Sequence, residues 1–108
     1  MANTYKNAFF KLATTDLTTV YTCPANTTAL IKTIQITNEH TTNNVVEVFI
    51  TDTSATTTYQ FYYENMATKT TSNGAIGTIV LEAGDVLKIQ TATVDVIEGT
   101  VSLVEIDF

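Results

Sequence analysis

The sequence predicts an all-β protein: an antiparallel β-sandwich of seven to nine strands, in a single domain over residues 1–108. Three observations carry that prediction. Counting 24 Thr, 10 Val and 9 Ile against 6 Leu, two-fifths of the 108 residues are β-branched. Such side chains are stiff at χ1 and fit a pleated sheet better than a helix. Short segments of alternating apolar and polar residues recur at roughly ten-residue spacing, separated by turn-forming residues. No stretch carries the apolar spacing of an amphipathic helix.

Taken in order, Phe9–Ala13 is a short apolar segment closed by Thr14, Thr15 and Asp16, and residues 1–12 read as an N-terminal arm. Thr18–Cys23 is a strand ended by Pro24, which donates no hydrogen bond and drives Cys23 into an extended conformation. After the loop Pro24–Thr28 comes the longest strand, Ala29–Asn38. There Leu30, Ile34 and Ile36 share one face and Thr33, Gln35 and Thr37 the other. Lys32 on the apolar face and Ile31 on the polar one break this alternation, as a strand end or a second contact surface would.

Glu39–Asn44 is a polar turn. Val45–Thr51 follows, with Val46, Val48 and Ile50 opposite Glu47, Phe49 and Thr51. Beyond the turn Asp52–Thr56, alternation along Thr57–Tyr63 directs Tyr59, Phe61 and Tyr63 inward and Tyr62 outward. Glu64–Gly77 is the least patterned stretch and contains the turn dipeptide Asn73-Gly74. Thr78–Leu81 and Val86–Thr91 are expected to form a hairpin through Glu82–Asp85, with Gly84 in the left-handed region. Val94–Phe108 closes the chain, and Gly99 within it reads as a bulge or turn. A faint echo between Ala29–Thr37 and Asp85–Thr93 is too weak for a repeat architecture.

Composition narrows function. Charged residues make up 15% of the chain, against about 25% in a typical domain. Five Lys, no Arg and a net charge of −6 equip it poorly for nucleic acid, because phosphate neutralisation needs clustered cations. No run approaches the ~18 apolar residues of a membrane span, and MANTYKNAFFKL is not patterned as a secretory signal. A lone cysteine, Cys23, forms no intrachain disulfide and suits a reducing compartment.

Catalytic constellations are sparse. The single imidazole, His40, sits in a polar loop far in sequence from Cys23, Ser54, Ser72 and Ser102, so a nucleophile–base pair has no local support. Cys23 reads as a small buried hydrophobe. With only these two N/S donors, zinc is not expected, and no metal or cofactor is. Glu105 and Asp107 lie about 7 Å apart along one strand face, and a solvated edge or inter-subunit contact suits them better than a glycosidase pair. Asp85 is expected to satisfy turn amides rather than bind calcium. Tyr62 is the one aromatic placed to stack on a sugar. The Thr pairs Thr51/Thr53, Thr68/Thr70 and Thr91/Thr93 fall at irregular intervals, unlike the fixed period of an ice-binding solenoid. Neutral Thr- and Asn-covered faces are cheap to desolvate compared with charged ones and suit packing against other protein.

Three stretches, DLTTVYTCPANTTALIKTIQITN (Asp16–Asn38), IVLEAGDVLKIQ (Ile79–Gln90) and VSLVEI (Val101–Ile106), resemble small virion structural proteins of tailed bacteriophages, those of marine and cyanobacterial phages in particular. Cys23 stands where that pattern usually has valine. The resemblance implies a jelly-roll-like β-sandwich mounted on the virion and made in the bacterial host's cytoplasm. The expected role is a capsid decoration (cement) protein that stabilises the head by binding the major capsid protein or other virion proteins. By analogy with capsid symmetry it would be a homo-oligomer, a trimer for preference. A neck, tail or fibre component, or a carbohydrate-binding adhesion module, are the alternatives. The expected contact residues are Phe9, Phe10 and Leu12 of the arm, Tyr62, and the C-terminal Glu105, Ile106 and Phe108.

Overall fold

The computed structural model describes residues 2–72 and 78–107, among which the chain forms nine strands. They are β1 (Asn3–Lys11), β2 (Thr18–Thr22), β3 (Thr27–Asn38), β4 (Asn44–Asp52), β5 (Thr57–Met66), β6 (Thr70–Ser72), β7 (Ile79–Leu81), β8 (Val86–Thr91) and β9 (Ile97–Asp107). Two expectations, the Asn73-Gly74 turn and a contact role for Phe108, lie outside the described residues.

Every pairing is antiparallel. One sheet runs β1-β9-β3-β6, with β7 sharing the β3 edge that β6 occupies; the other runs β2-β8-β4-β5. The pairs nest: β4 with β5, β3 with β6 and β7, β2 with β8, and β1 with β9. A long hairpin with its tip at β4–β5, rolled so that successive rungs fall in opposite sheets, is the topology of a jelly roll. The chain is thus a β-sandwich of jelly-roll form.

Period-2 alternation builds the core between the sheets. Val46 and Val48 of β4, Leu87 and Ile89 of β8, and Ile97, Val101 and Leu103 of β9 are all buried. Each such side chain contributes about 1.5–3 kcal/mol when removed from water, which closes the sandwich without a disulfide.

Where the structure departs from simple alternation, one extra residue is the cause. On β3, Ile31 pairs with Leu103 and Thr33 with Ser102, so Lys32 is bulged. Parity flips there: Ala29 and Ile31 face the core before the bulge, and Ile34 and Ile36 after it. Leu30, expected beside Ile34, is therefore only half-buried. On β5, Val48 pairs with Tyr62 but Phe49 with Gln60, which leaves Phe61 as the extra residue. Tyr62, opposite buried Val48, packs against the core, whereas Tyr59, Phe61 and Tyr63 are exposed. This reverses the expected arrangement of the aromatic run.

Two further expectations change. Ile79–Leu81 and Val86–Thr91 are not a hairpin, because β7 pairs with β3 in one sheet while β8 pairs with β2 and β4 in the other. Glu82–Asp85 is an arch between sheets. Its local chemistry is as expected: Gly84 has φ 89°, and Asp85 accepts hydrogen bonds from the backbone N–H of Glu82 at 3.0 Å and of Thr53 at 3.1 Å. The N-terminal residues 3–11 are not a free arm; β1 pairs with β9 along its whole length, from Asn3↔Ile106 to Lys11↔Glu98.

Candidate functional site: a neutral sheet face and two aromatic edges

Alternation places Tyr5, Asn7, Phe9 and Lys11 of β1 on the outer face of the five-stranded sheet, level with Val104, Ser102, Thr100 and Glu98 of β9. β3 continues the rows with Leu30, Thr33, Gln35 and Thr37, and β7 adds Val80 opposite Leu30. One row, Val80–Leu30–Val104–Tyr5, is apolar across four strands. Tyr5 is 83% exposed, Phe9 77% and Val80 55%. The next rows are neutral and hydrogen-bonding, Thr33–Ser102–Asn7 and Gln35–Thr100–Phe9, and the row Thr37–Glu98–Lys11 sets one cation beside one anion.

Two shallow grooves cross this face. One, of about 540 Å³, is lined by Phe9, Lys11, Gln35, Thr37, Glu98 and Thr100. The other, of about 690 Å³, is lined by Tyr5, Asn7, Lys32, Ser102 and Val104. At the rim of the first, a hydrogen bond to Glu98, reinforced by the Glu98 charge, holds the exposed Glu39 carboxyl above its ordinary pKa. Lys11 pulls it the other way.

The second aromatic group lies on the edge strand β5, where Tyr59 is 55% exposed and Tyr63 61%. On the inner side, the Tyr62 hydroxyl donates to Glu64, and Ser72 donates to the same carboxylate oxygen at 2.7 Å. Burial, and then the Glu64 hydrogen bond, push the Tyr62 pKa up.

Several expected contact residues prove internal. Leu12 is wholly buried and its N–H donates to the Ile97 carbonyl at 2.9 Å. Phe10 is half-buried against the core. Glu105 is buried between the sheets, where its carboxylate accepts a 2.5 Å hydrogen bond from Tyr21 Oη and an ion pair from Lys6 Nζ at 3.0 Å. It faces inward because it shares parity with Val101 and Leu103, and the two partners satisfy it there. Phe9 is exposed, and Ile106 is half-buried on the outer face beside Asn3 and Thr28. Tyr5, Val80, Tyr59 and Tyr63 were not anticipated as surface groups. Period-2 parity read back from Phe9 along NTYKNAFFK would have found Tyr5.

Burial alone would raise the Glu105 pKa; the Tyr21 hydrogen bond and then Lys6 outweigh it and hold the carboxyl below its ordinary value. A carboxylate with a depressed folded pKa contributes stability that is present above its unfolded pKa, about 4.3, and lost as pH falls through the folded value. Glu105→Gln is therefore expected to lower stability at neutral pH and to flatten the acid limb of a stability–pH curve measured by urea unfolding. An acid limb identical to the wild type's would show that this carboxylate carries none of the dependence.

The residues considered for catalysis are dispersed. Cys23 is buried, donates Sγ–H to the Thr27 carbonyl at 3.3 Å, and has its thiol pKa pushed up by burial. His40 lies in the β3–β4 loop, where its backbone N–H donates to Asn38 Oδ1 at 3.0 Å. What the surface offers is recognition by apolar, neutral polar and aromatic groups. Comparison with protein-family models, curated proteins and solved structures finds no match for the chain.

Proposed function

We propose that the chain is a non-enzymatic structural protein of a tailed-phage virion, acting as a capsid decoration protein that binds the major capsid protein as a homo-oligomer. The observation that carries this reading is the outer face of the five-stranded sheet. It has an apolar row four strands wide, flanked by Thr, Ser, Asn and Gln, with charge confined to the Lys11–Glu98 row and the bulged Lys32. Desolvating neutral hydrogen-bonding side chains against a complementary surface costs far less than desolvating charges. Binding that favours the assembled lattice stabilises it by mass action. The jelly roll supports the reading by analogy, since viral capsid proteins use it, although lectins do so too. The copy number of the chain in purified particles is the test: a decoration protein is present in proportion to the major capsid protein, a neck, tail or fibre component in far fewer copies.

The exposed rings of Tyr59, Phe61 and Tyr63 favour a second reading, a carbohydrate-binding adhesion module, because aromatic faces stack on sugars. Glycan-array binding by the wild type that is lost in Tyr63→Ala supports it, and a silent array for the wild type removes it.

A further inference from the structure

The jelly roll leaves four sheet edges, and three of them carry a device that discourages pairing with another strand. β5 is bulged at Phe61 and β2 at Val20. The fourth-strand position beside β3 is filled by β6 and β7, of three residues each. Bulged and short edges are the means by which sheets avoid extension. β1 differs: its nine residues pair with β9 without a register shift, so its free edge is long and regular. Lysines also guard edges, but Lys6, on the inner side, is held by Glu105 at 3.0 Å, and Lys11 lies opposite Glu98.

We propose that β1 pairs antiparallel with β1 of a second copy across a two-fold axis at Asn7, joining two five-stranded sheets into one. The strand's own sequence selects that register. Registers that keep both cores on the same side must match odd residues with odd ones. Centring on Asn7 pairs all nine residues: Asn3 with Lys11, Thr4 with Phe10, Tyr5 with Phe9, and Lys6 with Ala8. It sets the two most exposed aromatics of the described residues, Tyr5 and Phe9, opposite each other across the seam, a favourable cross-strand pair. It also places no lysine opposite a lysine. Moving the axis to Lys6 would oppose Lys6 to Lys6, and moving it to Ala8 leaves the first two residues unpaired. The interface is isologous, as a two-fold contact requires. It uses the sheet edge and leaves most of the outer face open, so it stands whether or not the chain coats a virion.

Light scattering coupled to size exclusion, on the full chain, tests the contact. The wild type is expected to be dimeric. Tyr5→Lys with Phe9→Lys, two exposed positions, brings lysines face to face in the proposed register and should give a monomer with an unchanged circular dichroism spectrum and a urea midpoint that, unlike the wild type's, does not rise with protein concentration. Asn7→Cys should form a disulfide-linked dimer under mild oxidation, whereas Thr19→Cys on the bulged β2 edge should not. A monomeric wild type overturns the proposal. So does an oligomer that survives the double-lysine variant while Asn7→Cys fails to cross-link.

Discussion

Gly99→Ala is expected to lower the free energy of unfolding by about 3 kcal/mol, the upper part of the range for overpacking a filled site. Gly99 lies within β9, paired with Phe10 of β1 and Ile36 of β3. A Cβ there would overlap the backbone carbonyl oxygen of Gln35 and stand 2.9 Å from the Phe10 ring carbon Cζ. The ring can rotate away, but the carbonyl belongs to the central strand and can move only by displacing β3 from β9. Glycine is required by this close approach of a neighbouring backbone. Urea denaturation checks it: the midpoint should fall with an unchanged slope. A loss under 0.5 kcal/mol would mean that the two strands are not held this tightly.

A comparable effect is expected at Asn38, a fully buried amide at the end of β3. Its Nδ2 donates to the carbonyls of Thr42 at 3.3 Å, Met66 at 3.2 Å and Ala67 at 3.2 Å, and its Oδ1 accepts from the His40 N–H at 3.0 Å. One side chain thus closes the β3–β4 loop and ties it to the end of β5 across the sandwich. Asn38→Asp keeps the shape but turns a carboxylate toward carbonyl oxygens in a dry site, a change of about 4 kcal/mol. The carboxyl would have a folded pKa above its unfolded one, so the variant should regain stability as pH falls through that raised value. Unfolding curves at neutral and mildly acidic pH measure both effects. Equal destabilisation at the two pH values would show that the lost amide donors, rather than charge against the carbonyls, are what the site requires.

Local chemistry was legible in the sequence where it is set by neighbours along the chain. Pro24 ends a strand, Gly84 takes the left-handed turn position, Asp85 caps its own arch, and alternation locates β3, β4, β8 and β9 within a few residues. Pairing across the fold was less so. The arch at Glu82–Asp85 has the turn residues of a hairpin, and only the non-local partners of β7 and β8 decide that it crosses between sheets. The bulges at Lys32 and Phe61 add one residue each; broken alternation at Ile31 and Lys32 marks the first without distinguishing a bulge from a strand end, and nothing in the aromatic run marks the second. Their effect on the candidate site is large, because a one-residue shift exchanges the two faces of a strand. Along Thr57–Tyr63 alternation separates Tyr62 from Phe61 and Tyr63 but does not say which set faces in, and the pairing of Tyr62 with buried Val48 decides it. Glu105 was read as surface on chemical type alone, although its parity with Val101 and Leu103 already placed it inside. Gly99 was read as a bulge or turn, whereas it pairs in register on both sides; a glycine in a strand signals either a bend or a close approach, and sequence does not separate the two.

The proposed role rests on the chain being a constituent of a particle, and quantitative mass spectrometry of purified virions addresses that directly. A capsid decoration protein should appear in copies that scale with the major capsid protein and should stay with the heads when tails are removed. A few copies per particle, travelling with the tails, would contradict capsid decoration. Absence from the particles would contradict the virion assignment altogether.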